Sequence, residues 1–369
     1  MSSISRKVGE GETLLLDGPA SIRISSGKAS IFGCLLKLNK NYLMRPFRRY
    51  PVYGESEFYA EIRLGEGAAL DVIKGDTVGE DWRSKAASLH EGATVAVIGA
   101  SDTGKTALAT LLTNTMCMRY GGAAILCLDP GQSYLSPPTI IAAALLRDPL
   151  YDLAQAKAFT TFPIGSTSAS HDPDAFVKAA QMLMERVKRA GAKNIVVDMD
   201  GWVEGDEAEE FKEKLVRTLR PSHLIFIERI VRSAEKAVSG WDGLTELVKR
   251  PIHTLERGPS VRREIRAMSY RRYLKNGSIK TIPLSWVEIE AISGKIPDRH
   301  SLPDMVKPDS GLLTYLAGED EALYHIGVLL KYDEARRAVK VYTAMDGPVK
   351  KIAFGRILLT IDGEEVGYL

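Results

Sequence analysis

Thr94-Val95-Ala96-Val97-Ile98-Gly99-Ala100-Ser101-Asp102-Thr103-Gly104-Lys105-Thr106-Ala107 carries two signals in one segment. A β-branched apolar run of buried-strand character breaks into a glycine loop, and sequence of helical composition follows through residue 118. The pattern G-x-x-x-x-G-K-[ST] between a strand and a helix is the mark of a phosphate-binding loop. The two glycines let the backbone curl so that successive N–H groups face phosphate oxygens. The helix behind them adds the positive end of its dipole to the same anion. Gly99, Ala100, Ser101, Asp102, Thr103, Gly104 and Ala107 are then the cradle. Lys105 reaches the β- and γ-phosphates, and the Thr106 hydroxyl is the expected Mg²⁺ ligand. The loop therefore implies a nucleoside triphosphate with Mg²⁺. No N/T-K-x-D tetrapeptide occurs, which disfavours a switch-type GTPase and leaves ATP against GTP open at this point.

The rest of the chain frames this loop. At 369 residues it is too long for one ordinary domain. Hydrophobic residues at 45% and charged residues at 26% exclude disorder, collagen and coiled coil. Lys plus Arg is 49 and Asp plus Glu is 47, so the near-neutral total does not itself argue for nucleic acid. The three cysteines, Cys34, Cys117 and Cys127, form no C-x-x-C, which suggests neither a zinc site nor a disulfide framework. The six histidines, His90, His171, His223, His253, His300 and His325, have no metal-ligand spacing. Neither G-x-S-x-G nor H-E-x-x-H occurs, so acyl-hydrolase and zinc-peptidase chemistry are disfavoured. The first 16 residues hold too short an apolar core for a signal peptide, and the apolar stretch at 139–146 is far short of a membrane span. A soluble, unsecreted protein is expected, cytoplasmic or, in a eukaryote, nuclear, with no membrane partner.

Three domains are expected. Residues 1–82 show short apolar runs punctuated by glycines, as in a small β-sandwich or barrel. Residues 83–280 alternate strands (94–98, 123–128, 194–197, 224–227) with helices, of which 173–190 is the longest, and this texture implies a parallel sheet covered on both faces. Residues 281–369 return to β structure. The fold class is thus α/β: a central P-loop parallel-sheet domain between an N-terminal β-sandwich-like domain and a small β-rich C-terminal one.

Two of the central strands end in acid. Ala124-Ile125-Leu126-Cys127-Leu128 runs into Asp129, and Ile195-Val196-Val197 into Asp198. In a doubly wound sheet the carboxyl ends of strands line the ligand crevice, so either carboxylate can support Mg²⁺ or accept a proton from an attacking hydroxyl. Asp129 is followed by Pro130-Gly131-Gln132-Ser133-Tyr134-Leu135-Ser136-Pro137-Pro138, a polar, turn-rich loop suited to an active-site edge.

This loop resembles the D-x-G-Q…P-P-G element of the RNA 5′-hydroxyl polynucleotide kinase family, with Thr139 in place of the last glycine. Four further segments agree in order. Gly11-Glu12-Thr13-Leu14 through Gly33 resembles the family's β-sandwich. Gly165-Ser166-Thr167-Ser168 resembles its G-x-T-S-P, with Ala169 for the proline. Gly201-Trp202-Val203-Glu204-Gly205 resembles its G-W-V-x-G clasp, although Met199-Asp200 replaces the usual Thr-Pro or Thr-Cys. Arg257, Arg262, Arg266 and Tyr273 resemble its arginine lid. The resemblance spans about residues 10–275 and implies an RNA-processing kinase that transfers the γ-phosphate of ATP to the 5′-hydroxyl of RNA, with DNA as a further acceptor left open. An RNA-processing protein partner would dock on the N- or C-terminal domain.

Read physically, Trp202 between two glycines on a strand-edge loop is placed to stack on an unpaired base. Residues 247–275 carry nine basic side chains against two acidic ones, and Arg262 and Arg266 share one helical face. Planar guanidinium groups suit phosphates, so this segment is read as a mobile cover. The expected catalytic set is Lys105, Asp129, Arg262 and Arg266, with Gln132, Trp202 and Arg257 on the nucleic acid and Thr106 on Mg²⁺, supported by Asp129 or Asp198. The rival reading is a nucleotide-loaded scaffold subunit with little turnover; the intact catalytic set favours the enzyme.

Overall fold

A computed structural model describes residues 2–228, 241–292 and 310–369; His300 lies outside them. The apolar runs of the central domain form one seven-stranded sheet. Its order is Thr160–Pro163, Ile140–Leu146, Ala123–Leu128, Ile195–Met199, Thr94–Ile98, His223–Ile227, Leu244–Val248. The last five are mutually parallel; four of them are continuous buried strands, as a sheet covered on both faces requires, and Leu244–Val248 is the largely exposed edge. The run at 139–146 is a core strand, and it and Thr160–Pro163 pair antiparallel at one edge. The sheet is therefore mixed, and parallel where the phosphate loop stands.

Alternate residues of these strands feed two cores. Val95, Val97, Ile125, Cys127 and Val196 face helix Lys105–Tyr120 and Trp82 of helix Glu80–Ser88. Ala96, Ile98, Leu126, Val197 and Phe226 face helices Pro173–Arg189 and Asp206–Leu219 through Phe176, Leu183, Phe211 and Leu215. Side chains two apart on a strand share a face, so one sheet serves both layers.

The N-terminal domain is a sandwich of a four-stranded and a five-stranded sheet around Leu14, Leu16, Ile22, Ile24, Val52, Phe58 and Ile62. Tyr151, a loop residue of the central domain, is built into that core. Beside it Asp152 accepts two bonds from Arg45, at 2.7 and 2.9 Å, and one from Tyr50, at 2.6 Å. The C-terminal domain is a seven-stranded sheet of Ser278–Pro283, Glu288–Glu290, Ser310–Ala317, Tyr324–Asp333, Ala338–Thr343, Lys351–Thr360 and Glu365–Tyr368. Its first two strands, Ser278–Pro283 and Glu288–Glu290, are separated by a turn.

Helix Pro259–Leu274 corrects the reading of a free cover. Its Tyr270 and Leu274 are buried with Leu313, Tyr315, Ile326 and Leu359 of the C-terminal sheet. An apolar stripe at the helix end anchors it, which the arginine count of the segment had masked.

Candidate functional site

Strand order brings the chemistry together. The Asp198 strand lies between the P-loop strand and the Asp129 strand, and Asp198 is in register with both Val97 and Cys127. The loops that leave the carboxyl ends of all three strands therefore share one edge.

The phosphate loop is formed as its sequence requires. Gly104 has φ +98, where an L side chain is strained, and a Cβ there would meet the Trp82 indole at 3.1 Å. Lys105 begins the helix, is buried, and donates from Nζ to the Ala100 carbonyl at 2.7 Å. Burial pulls its pKa down, while Asp198 and Asp129 nearby push it up. The Thr103 hydroxyl closes the back of the loop on the Ala100 carbonyl at 2.8 Å.

The two carboxylates are held differently. Thr106 Oγ1 donates to Asp198 Oδ2 at 2.8 Å. Asp198 Oδ1 is buried without a completed hydrogen bond, with the equally unsatisfied Tyr134 hydroxyl beside it. Burial raises the Asp198 carboxyl to about 6, against the pull of Lys105 and Thr106. A threonine hydroxyl joined to a carboxylate with an orphan oxygen suits a hydrated Mg²⁺, which takes hard oxygen ligands and keeps its waters. Asp129 Oδ1 instead accepts from the N–H groups of Gly131 and Gln132, both at 2.9 Å. That turn fixes the carboxyl, and Oδ2 has no hydrogen bond among the described residues. Burial raises the Asp129 pKa too, opposed by Lys105.

Lid and clasp reach the loop from opposite sides. Asp102, in left-handed conformation at φ +61, is the common partner of the lid. It accepts from the Arg257 backbone at 3.0 Å and Nε at 2.8 Å, and from Arg262 Nη2 at 2.9 Å. These cations hold the Asp102 carboxyl below its ordinary range, against the effect of burial. Arg257, expected on the nucleic acid, therefore stands on the nucleotide side, drawn there by a carboxylate of the loop. Arg266 turns away from the loop and pairs with Glu365 at 2.7 Å. In the clasp, a Cβ on Gly201 would lie 2.4 Å from Ser101 Oγ, so only glycine lets the two loops approach this closely. Trp202 is not free-standing: one face stacks on Phe211 at 5.4 Å and 26°. Its backbone N–H donates to Asp200 Oδ2 at 3.0 Å, and Asp200 forms a buried pair with Lys212.

Two cavities result. The first is lined by Ser101, Asp102, Gly104, Lys105, Thr106 and Ala107, and reaches Phe47, Arg48 and Pro51 of the sandwich. The second is lined by Gly131, Thr167, Ser168, Asp200, Trp202 and Arg266. Ser101, Asp129, Gln132 and Arg262 line both. Gly99, Ala100 and Thr103 of the loop line neither cavity. Sequence reasoning missed the sandwich's share of the first cavity and the Asp200–Lys212 pair. The first has no local signal; the departure Met199-Asp200 from the clasp pattern marks the second.

Residues 99–276 match the family described as mRNA cleavage and polyadenylation factor CLP1 P-loop. The chain is 24% identical over 328 residues to a polyribonucleotide 5′-hydroxyl-kinase of Pyrococcus furiosus, covering 76% of this chain and 92% of that protein. It is 25% identical over 378 residues to the polyribonucleotide 5′-hydroxyl-kinase Clp1 of Xenopus laevis, covering 93% of this chain and 82% of that protein. The fold superposes on the solved wild-type Clp1p–Pcf11p complex with a TM-score of 0.74 at 15% identity, over 96% of this chain and 97% of that one. The likeness to the CLP1 P-loop family thus lies in residues 99–276, the segment that carries the phosphate loop, the Asp129 loop, the clasp and the lid helix.

Proposed function

We propose that this protein is an ATP-dependent polynucleotide 5′-hydroxyl kinase acting on RNA, in RNA processing. The observation that carries this reading is the wall shared by the two cavities: a carboxylate, Asp129, and a cation, Arg262, line both, so that a triphosphate in one would meet a strand end in the other there. The names of the archaeal and animal relatives agree with it.

The 5′-oxygen attacks the γ-phosphorus, the bond to the β–γ bridging oxygen breaks, and ADP leaves. Asp129 Oδ2 accepts the hydroxyl proton and aims the oxygen in line. Lys105 and the loop amides hold the triphosphate, and Arg262 neutralises charge on the moving phosphoryl group. Thr106 and Asp198 would hold Mg²⁺, which would supply charge neutralisation to the triphosphate when bound. Gln132 and the open face of Trp202 position the first nucleotide, by hydrogen bonding and stacking.

Transfer of label from γ-labelled ATP to a 5′-hydroxyl RNA oligonucleotide tests the reading, with Lys105→Ala as the blank and a DNA oligonucleotide as the second acceptor. ATP binding without label transfer would leave the scaffold reading in its place. The Clp1p–Pcf11p complex shares this fold with a protein partner bound, and a protein partner for this chain is part of the proposal.

A further inference from the structure

Arg266 follows Arg262 by one helical turn, yet a residue of another domain determines where its guanidinium lies. Nε and Nη2 donate to Glu365 Oε1 and Oε2 at 2.7 and 2.8 Å, a two-pronged contact that sets the plane of the group. Glu365 begins the last strand, Glu365–Tyr368, and is only 4% exposed. Its backbone carbonyl is held by Arg263, and the turn before it presses on the lid helix: a Cβ on Gly363 would meet the Arg271 nitrogen at 2.8 Å. Nη1 of Arg266 has no partner among the described residues. Arg266 also lines the second cavity, with Asp129, Gln132 and Trp202.

A buried ion pair is a poor way to join two surfaces, because desolvation offsets most of its Coulomb attraction and apolar packing serves as well. What such a pair supplies is direction. We propose that Glu365 is a positioning residue of the kinase: it holds Arg266 so that Nη1 meets a backbone phosphate of the acceptor strand, making the C-terminal domain a working part of the acceptor site. This rests on the reading of the second cavity as the acceptor site. The same domain reaches the Asp129 loop a second time, where Tyr315 and Thr139 share a hydrogen bond of 2.7 Å.

The test uses the full chain and a single-stranded RNA with a free 5′-hydroxyl and a 3′ fluorophore, its Kd read by anisotropy. Glu365→Ala and Arg266→Ala should each raise Kd about tenfold, the loss of one charge-assisted contact. The double variant should bind no worse than Arg266→Ala, and the Kd for ATP should stay within about twofold. Glu365→Gln, which keeps the shape and one acceptor, should fall between wild type and Glu365→Ala. Wild-type RNA affinity in Glu365→Ala overturns the proposal. So does a double variant whose loss is the product of the two single losses, or a loss that follows Tm across the variants instead of the Arg266 pair. If wild type binds RNA and the variants behave as expected while no label is transferred, the kinase reading fails and the role of Glu365 stands.

Discussion

At Asp129 one carboxylate oxygen is taken up by two amides of its own loop and the other is left for chemistry; at Asp198 one oxygen holds the Thr106 hydroxyl. Asp129→Asn keeps the turn and removes the base, so kcat should fall about 10²–10⁴-fold with ATP affinity preserved. A larger fall in kcat for Asp198→Asn would reverse the assignment. Asp198 also makes a stability prediction. Its folded carboxyl titrates at about 6 against an ordinary 3.8. Between those values the folded protein keeps a proton that the unfolded chain has released, so stability falls as pH rises through the window. Asp198→Asn should therefore raise the Tm of the nucleotide-free protein at about pH 7, a gain that disappears toward about pH 4. Thr139 tests strain. It sits at φ +72, where the family pattern has glycine, and its hydroxyl is bonded to Tyr315. Thr139→Val loses the bond and keeps the strain, whereas Thr139→Gly loses both. Chemical denaturation should find the glycine variant more stable than the valine variant by about 1–3 kcal/mol.

At the scale of elements, the lid helix has two attachments of different kind. Its carboxyl end is packed into the C-terminal sheet through Tyr270 and Leu274. Its first turn reaches the P-loop through charge, Arg262 on Asp102 at 2.9 Å. The apolar end fixes the helix, so Arg262 needs only a side-chain movement to exchange a carboxylate for a phosphate. Arg262→Ala should lower kcat about 10²–10³-fold, the usual cost of losing a donor aimed at developing charge. ATP affinity should change much less. Equal losses in kcat and ATP affinity, measured by single-turnover transfer and by calorimetry, would show ordinary ground-state binding instead.

For the whole molecule, the sandwich docked on the central domain supplies one wall of the nucleotide cavity. Beside the Tyr151 contact lies an ionic one: Arg45 and Tyr50 hold the buried Asp152, whose carboxyl is pushed down to about 2 by Arg45 and Arg48 despite its burial. A depressed carboxyl contributes stability that is complete above its unfolded pKa and is lost as pH falls toward 2. Asp152→Ala leaves the Tyr50 hydroxyl and the partly exposed Arg45 without their acceptor and should destabilise the protein by about 1–3 kcal/mol. It should also raise the Kd for ATP, because Phe47, Arg48 and Pro51 line that cavity from the sandwich side. Denaturation that leaves stability unchanged would mean that the docking rests on Tyr151 and apolar packing alone.

What the sequence by itself determined is local and periodic. The phosphate loop is legible because its glycines, Lys105 and Thr106 act within eight residues, and backbone curl and helix dipole are properties of that segment alone. Four strands of the parallel sheet are legible because burial on both faces demands unbroken apolar runs, whereas the exposed edge strand Leu244–Val248 has no such run and was not legible. The acid at the end of the 123–128 strand and the turn after it are legible for the same reason. Tertiary structure decided everything that depends on which surfaces meet. It separated Asp129 from Asp198 by their hydrogen bonds and sent Arg257 to Asp102 and Arg266 to Glu365. It laid one face of Trp202 on Phe211 and turned a basic segment into an anchored helix. Charge acts through space: a guanidinium takes the nearest carboxylate that the fold has buried beside it, and Glu365 stands 99 positions along the chain from the arginine it directs.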